Sequence, residues 1–155
     1  EVEGVVMAEG HDANYRHGLS SSTFCGVFPG NGWSGRMEES VLHGCIPVII
    51  QDDIHTPFET TLDVAAFSIR WPRSRLPDLV DHLRSIPPEK ISEMKRRIEE
   101  VWTKYAFIGY FKAEAAWRSS SGLASDAIID DIVEAGEGKV DAMGALMVEL
   151  WYRKL

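Results

Sequence analysis

Cysteine is scarce in this chain of 155 residues: there are two, Cys25 and Cys45. Two are too few for a disulfide scaffold or a four-cysteine zinc site, though enough for one bridge. Long apolar runs are also absent. The longest, Cys45–Ile50, has six residues and contains Pro47, far short of the ~20 that cross a bilayer. Basic residues are outnumbered, 16 Lys and Arg against 24 Asp and Glu, for a net charge of -8. That is the wrong sign for neutralising a phosphate backbone, so no nucleic-acid partner is expected. The five histidines are scattered and form no HExxH pattern. Neither Asn14-Tyr15-Arg16 nor Asn31-Gly32-Trp33 is a glycosylation sequon, and Glu1-Val2-Glu3 lacks the basic start of a signal peptide. There is no internal repeat.

The balance of 45% hydrophobic and 26% charged residues is that of one globular domain. Residues 1–21 are polar and rich in Gly, Ser and His, and read as a loop or the edge of something longer. Ser22–Phe28 reads as a buried strand from its β-branched and aromatic residues. Turn chemistry follows at Pro29-Gly30-Asn31-Gly32, then a short helix from an N-cap at Ser34 to His43, stopped by Gly44. Ile46–Ile50 is expected as a central strand with Pro47 near its start, and Phe67–Arg70 as another strand.

The second half is helical. Leu76, Leu79, Val80, Leu83 and Ile86 share one helix face. Pro87-Pro88 stops that helix and opens the next, whose stripe runs Ile91, Met94, Ile98, Val101, Trp102, Tyr105. Arg118–Gly122 looks like a linker, Ser125 caps a helix carrying Ile128 to Val133, and a last helix carries Met143 to Trp151. The domain reading is therefore a loop or edge at 1–21, a core domain at 22–118 and a helical extension at 119–155.

Strand, helix, strand in the first half implies a βαβ unit with a parallel sheet. Ligands of such sheets bind beyond the carboxyl ends of the strands, which places the Gly30–Arg36 and Gln51–Pro57 loops on one rim. The first loop combines glycines, a helix start and Arg36, whose planar cation suits phosphate oxygens. Glu39, three residues on, lies on the same face and suits a ribose diol. The pair reads as a nucleotide clamp or, alternatively, as two exposed residues that pair with each other. Trp33 could stack on a base or sugar, or pack over the loop. His43 reads as a helix-surface residue.

The wider string is Ser22-Thr23-Phe24-Cys25, then Pro29-Gly30-x-Gly32-x-Ser34-x-Arg36-x-x-Glu39, then Gly44-Cys45-Ile46-Pro47-Val48-Ile49-Ile50-x-Asp52 and Pro57-Phe58-Glu59. It closely resembles the exostosin family of glycosyltransferases, with RMEESVLHGCIPVIIQD as the most diagnostic run and a likeness spanning about Tyr15–Tyr105. The resemblance implies an α/β, Rossmann-like parallel sheet with flanking helices, forming the C-terminal, donor-binding half of a two-lobed GT-B enzyme. It implies inverting transfer of a sugar from a UDP-sugar to a polysaccharide or glycoprotein glycan. Ser34, Gly35 and Arg36 would face the diphosphate and Glu39 the ribose. Asp52 would lie near the donor sugar and is a candidate general base, with Asp53 and His55 as others.

No tightly bound cofactor is implied. A divalent metal is permitted but not required, and the Asp52-Asp53 pair reads either as a metal pair or as solvated loop. The expected partners are the nucleotide-sugar donor, a glycan acceptor, and the other GT-B half or a partner subunit. The expected location is the lumenal side of the Golgi membrane, where a Cys25–Cys45 bridge is plausible. One chain of this length is too short for both GT-B halves, so the fragment alone is expected to bind nucleotide weakly and to be inactive. The alternative is a non-catalytic interaction module or partner subunit, motivated by the acidic surface and the C-terminal helices.

Overall fold

The computed structural model describes residues 2–7, 13–30 and 34–152. Three strands, β1 (Phe24–Val27), β2 (Ile46–Ile49) and β3 (Ile69–Arg70), form a parallel sheet in the order β1-β2-β3. Phe24 pairs with Ile46 and Val27 with Ile49, and Val48 pairs with Ile69. Every residue of β2 is buried, as a run with no polar residue demands of a central parallel strand. Pro47 is tolerated there for a geometric reason. The amides of Ile46 and Ile50 both donate toward β1, to Thr23 and Val27. The alternation turns the missing Pro47 donor toward β3, whose pairing begins only at Val48.

The sheet is covered on both sides. On one, Val27 and Ile49 pack with Met37 and Val41 of α2 (Arg36–Leu42) and with Met94 and Ile98 of α4 (Pro88–Val101). On the other, Val48 and Ile50 pack with Trp71 and with Leu79 of α3 (Leu79–Arg84). A 3₁₀ segment, Arg73–Asp78, leads into α3. Pro88 opens α4 at its first turn, and a 3₁₀ turn, Trp102–Tyr105, continues it. The chain leaves α2 through Gly44 at φ +68°, where a side chain would be strained.

Four local expectations are corrected. Tyr15–Ser21 is a helix, α1, rather than loop. Its serines fold back on the helix, Ser21 Oγ donating to His17 O and Ser22 Oγ to Gly18 O. Its one buried side chain, Leu19, packs on Cys25 and Cys45. The N-cap of α2 is Gly35, with no side-chain cap bond. Ser34 sits one residue too early, and its carbonyl rather than its hydroxyl meets the turn, accepting from Met37 N at 3.5 Å.

Arg118–Gly122 is not a linker: α5 (Ile108–Ser120) runs through most of it and across the expected 118/119 boundary. Arg118 ties the stretch down through Glu114 at 3.6 Å and Asp126 at 3.9 Å, and the chain turns at Gly122, φ +69°. Asp126, not Ser125, caps α6 (Ala127–Ala135), its carboxylate accepting from Ile129 N at 3.4 Å. Asp141 links the starts of α5 and α7 (Ala142–Tyr152) by accepting from Gly109 N and Gly144 N, both at 3.1 Å.

Cys25 and Cys45 are joined in a disulfide, with Cα atoms 5.9 Å apart and a separation of 20 residues. It closes the β1–α2–β2 crossover at the start of the sheet. A loop of that length is worth about 3 kcal/mol through the entropy it removes from the unfolded chain. Reduction should therefore lower the unfolding free energy by about 3 kcal/mol, read as a fall in the urea midpoint. Identical oxidised and reduced midpoints would contradict this.

Candidate functional site

The parallel crossover carries the chain from the carboxyl end of β1 to the start of α2, so Arg36 stands at the sheet rim. Met37 and Val41 bury the inner face of α2 and leave Arg36 and Glu39 outward and exposed. The two do not pair with each other. Both engage Tyr15, at the start of α1: the Arg36 guanidinium lies 4.7 Å above the ring centroid, and the Tyr15 hydroxyl donates to a Glu39 carboxylate oxygen. Burial, the Glu39 hydrogen bond and that carboxylate's charge push the Tyr15 hydroxyl up to about 12, against the opposing charge of Arg36. Tyr15 therefore stays a proton donor at neutral pH and holds the Glu39 carboxylate in one orientation. His43 closes the far end of α2, its Nδ1 donating to Glu39 O at 2.7 Å. Ser34 is half-buried and Gly35 exposed beside Arg36. Trp33 lies outside the described residues.

Asp52 stands elsewhere on the rim. It is exposed, and its Oδ1 accepts from Arg73 N at 3.3 Å, which ties the loop after β2 to the segment after β3. Asp53 is exposed and adopts φ 57°, and Phe58 adopts φ 61°. Left-handed backbone at non-glycine residues costs on the order of 1–3 kcal/mol and persists only where surroundings over-determine it. Here they do. The Phe58 ring meets Tyr105 edge-on at 5.3 Å, and the Tyr105 hydroxyl donates to Pro57 O at 3.4 Å. Among the described residues, no group of three or more His, Cys, Asp or Glu is gathered as a metal ion would need.

Glu59 is the hub of this loop. It accepts from the Thr56 amide at 2.7 Å, the Thr56 hydroxyl at 2.9 Å, His55 Nδ1 at 2.9 Å and Arg70 at 3.0 Å. Arg70 also donates to Ile54 O at 2.8 Å. Burial alone would raise the Glu59 carboxyl. The Thr56 amide, His55, the Thr56 hydroxyl and the Arg70 charge outweigh it and hold the group near 2 instead of 4.5.

Sequence reading missed both Tyr15 and Glu59 as site-shaping groups. For Glu59 a signal existed: Thr56-Pro57-Phe58-Glu59 has the Ser/Thr-x-x-Glu spacing of a capping box. For Tyr15 there was none, since its partner lies 24 residues away.

The model of the exostosin GT47 domain matches residues 3–86, more than half of the chain. Exostosin-2 of Bos taurus is 36% identical over 93 residues, covering 59% of this chain and 13% of the relative. The probable beta-1,4-xylosyltransferase IRX10L of Arabidopsis thaliana is 34% identical over 102 residues, covering 63% of this chain and 24% of the relative. The probable glucuronosyltransferase Os01g0926400 of Oryza sativa subsp. japonica is 32% identical over 102 residues, with the same coverages. The matched segment thus spans less than a quarter of the length of each.

A depressed carboxyl stabilises the fold in full above the unfolded value of 4.5 and loses that contribution as pH falls toward 2. The thermal midpoint of the native chain should therefore exceed that of Glu59→Gln at pH 6, with the gap closing between pH 4.5 and 2. Parallel profiles across that window would show that Glu59 is not the hub described.

Proposed function

The chain belongs to the exostosin GT47 family, and from that premise we propose that it supplies the donor-binding half of an inverting, GT-B-type glycosyltransferase. The observation that carries the reading is the arrangement of Arg36 and Glu39 at the sheet rim: an exposed cation and an exposed carboxylate, not paired with each other and both oriented by Tyr15.

Arg36, with Ser34 and Gly35 beside it, takes the diphosphate of a UDP-sugar, where a delocalised guanidinium forms charge-assisted bonds to two oxygens. Glu39 accepts from the ribose diol through the oxygen that Tyr15 leaves open. An acceptor hydroxyl attacks the anomeric carbon, the bond from that carbon to the diphosphate oxygen breaks, and the charge developing on the departing UDP falls on Arg36. The acceptor proton passes to a base, for which Asp52, Asp53 and His55 on the second rim loop are the candidates in this chain. A divalent metal is compatible with this scheme but has no step in it. The partners are a UDP-sugar, a glycan acceptor and the other lobe or a partner subunit. The Cys25–Cys45 bridge supports a location in an oxidising compartment such as the Golgi lumen. No described helix is long and apolar enough to cross a membrane.

A second reading, a non-catalytic interaction module, is favoured by the exposed apolar side chains Met143, Leu146, Met147 and Val148 on α7.

Calorimetric titration with UDP separates the two. We expect measurable affinity for UDP and a loss of at least about tenfold in Arg36→Ala, the scale of one charge-assisted contact. Equal affinity in the two proteins would reject the role of Arg36, and no UDP binding by either would leave the interaction module as the better account.

A further inference from the structure

Tyr15 can orient Arg36 and Glu39 only while α1 is itself held in place. α1 has seven residues, and isolated helices shorter than ~12–15 residues are marginal in water. Its anchorage must therefore come from packing, and α1 has few groups to pack. Arg16, His17 and Ser20 are exposed, and Leu19 is the one buried side chain. Leu19, 5% exposed, meets Cys25 and Cys45. Tyr15, one turn earlier on the same helix face, packs against the same cluster. Both apolar contacts of α1 thus fall on the disulfide. Cys25 lies in β1 and Cys45 directly before β2, so this floor is fixed to the sheet.

The contacts run from there to the rim without a gap. The bridge and Leu19 carry the Tyr15 ring. The ring carries the Arg36 guanidinium, 4.7 Å from its centroid, and the Tyr15 hydroxyl donates to Glu39. Arg36 and Glu39 are long, exposed side chains. Each such side chain ordered before a ligand arrives raises affinity roughly two- to tenfold, because its immobilisation no longer opposes binding.

We propose that the Cys25–Cys45 bridge is a positioning element of the nucleotide clamp. Through Leu19 and Tyr15 it holds Arg36 and Glu39 ready, so nucleotide affinity depends on the oxidation state of two buried cysteines at the amino-terminal end of the strands. The identity of the ligand rests on the donor-binding reading, whereas the brace from bridge to Tyr15 does not.

The test compares the oxidised chain with the chain reduced by dithiothreitol. The reagent supplies two electrons: the sulfur–sulfur bond breaks, Cys25 and Cys45 each become a thiol, and the dithiol leaves as its cyclic disulfide. Thermal midpoints report whether each form is folded. Nuclear spin relaxation should give rigid backbone at Gly18 and Ser22 in the oxidised chain, with order parameters near ~0.85, falling toward ~0.6 on reduction while β2 and α4 stay rigid. Calorimetric titration should show UDP bound at least about fivefold more weakly by the reduced chain. In Tyr15→Ala, where the relay is already cut, reduction should change UDP affinity less than about twofold, a non-additivity that a bridge acting on overall stability alone would not produce. If the reduced chain is unfolded, Leu19→Ala with the bridge intact replaces reduction in the same cycle. Unchanged order in α1, equal UDP affinity in the oxidised and reduced chains, or the same fold loss with and without Tyr15 would each overturn the proposal. The two readings fail separately. Loss of order in α1 in a chain that binds no UDP when oxidised removes the donor reading alone, and UDP binding indifferent to reduction and to Leu19→Ala removes the positioning role alone.

Discussion

The parallel pairing of β1 with β2, closed by the Cys25–Cys45 disulfide, is the constraint on which the rest depends. Parallel strands cannot be joined by a tight turn, so the chain must cross back over the sheet. That crossover is α2. It buries Met37 and Val41 against the sheet and so leaves Arg36 and Glu39 no place but the outer face. It also begins above the carboxyl end of β1, which puts both residues at the rim. The stripe that folds the helix thereby selects which residues can meet a ligand.

Much of this frame was legible in the sequence because its causes are local. The Ile46–Ile49 run is apolar throughout and β-branched apart from Pro47, Gly44 stops a helix in the left-handed region, and Pro88 opens one. What was not legible has causes that are not local. α1 is polar around Leu19 and becomes ordered by packing that residue on a disulfide formed farther along the chain. α5 carries no clear apolar stripe, and Arg118 turns an apparent linker into its last turns through Glu114 and Asp126. The two capping errors, Ser34 for Gly35 and Ser125 for Asp126, are one-residue displacements, the scale on which helix ends are least determined by composition.

The candidate site divides the same way. Arg36 and Glu39 could be placed together from spacing, whereas Tyr15, which holds both, comes from a helix the sequence does not announce. The loop after β2 could be placed on the rim, but its rigidity could not. The left-handed Phe58 is held by Tyr105, and Glu59 and Arg70 brace the same loop, in an arrangement that only the packed sheet brings together.

The central claim is that Glu39, oriented by Tyr15, is a receptor for a ribose diol. Comparing the affinities of UDP and 2′,3′-dideoxy-UDP for the unsubstituted chain and for Glu39→Gln tests it most directly. The account predicts a clear preference for UDP, on the order of tenfold for the hydrogen bonds to a carboxylate, and loss of most of that preference in Glu39→Gln. The same preference in both proteins, or none in the unsubstituted chain, would contradict it.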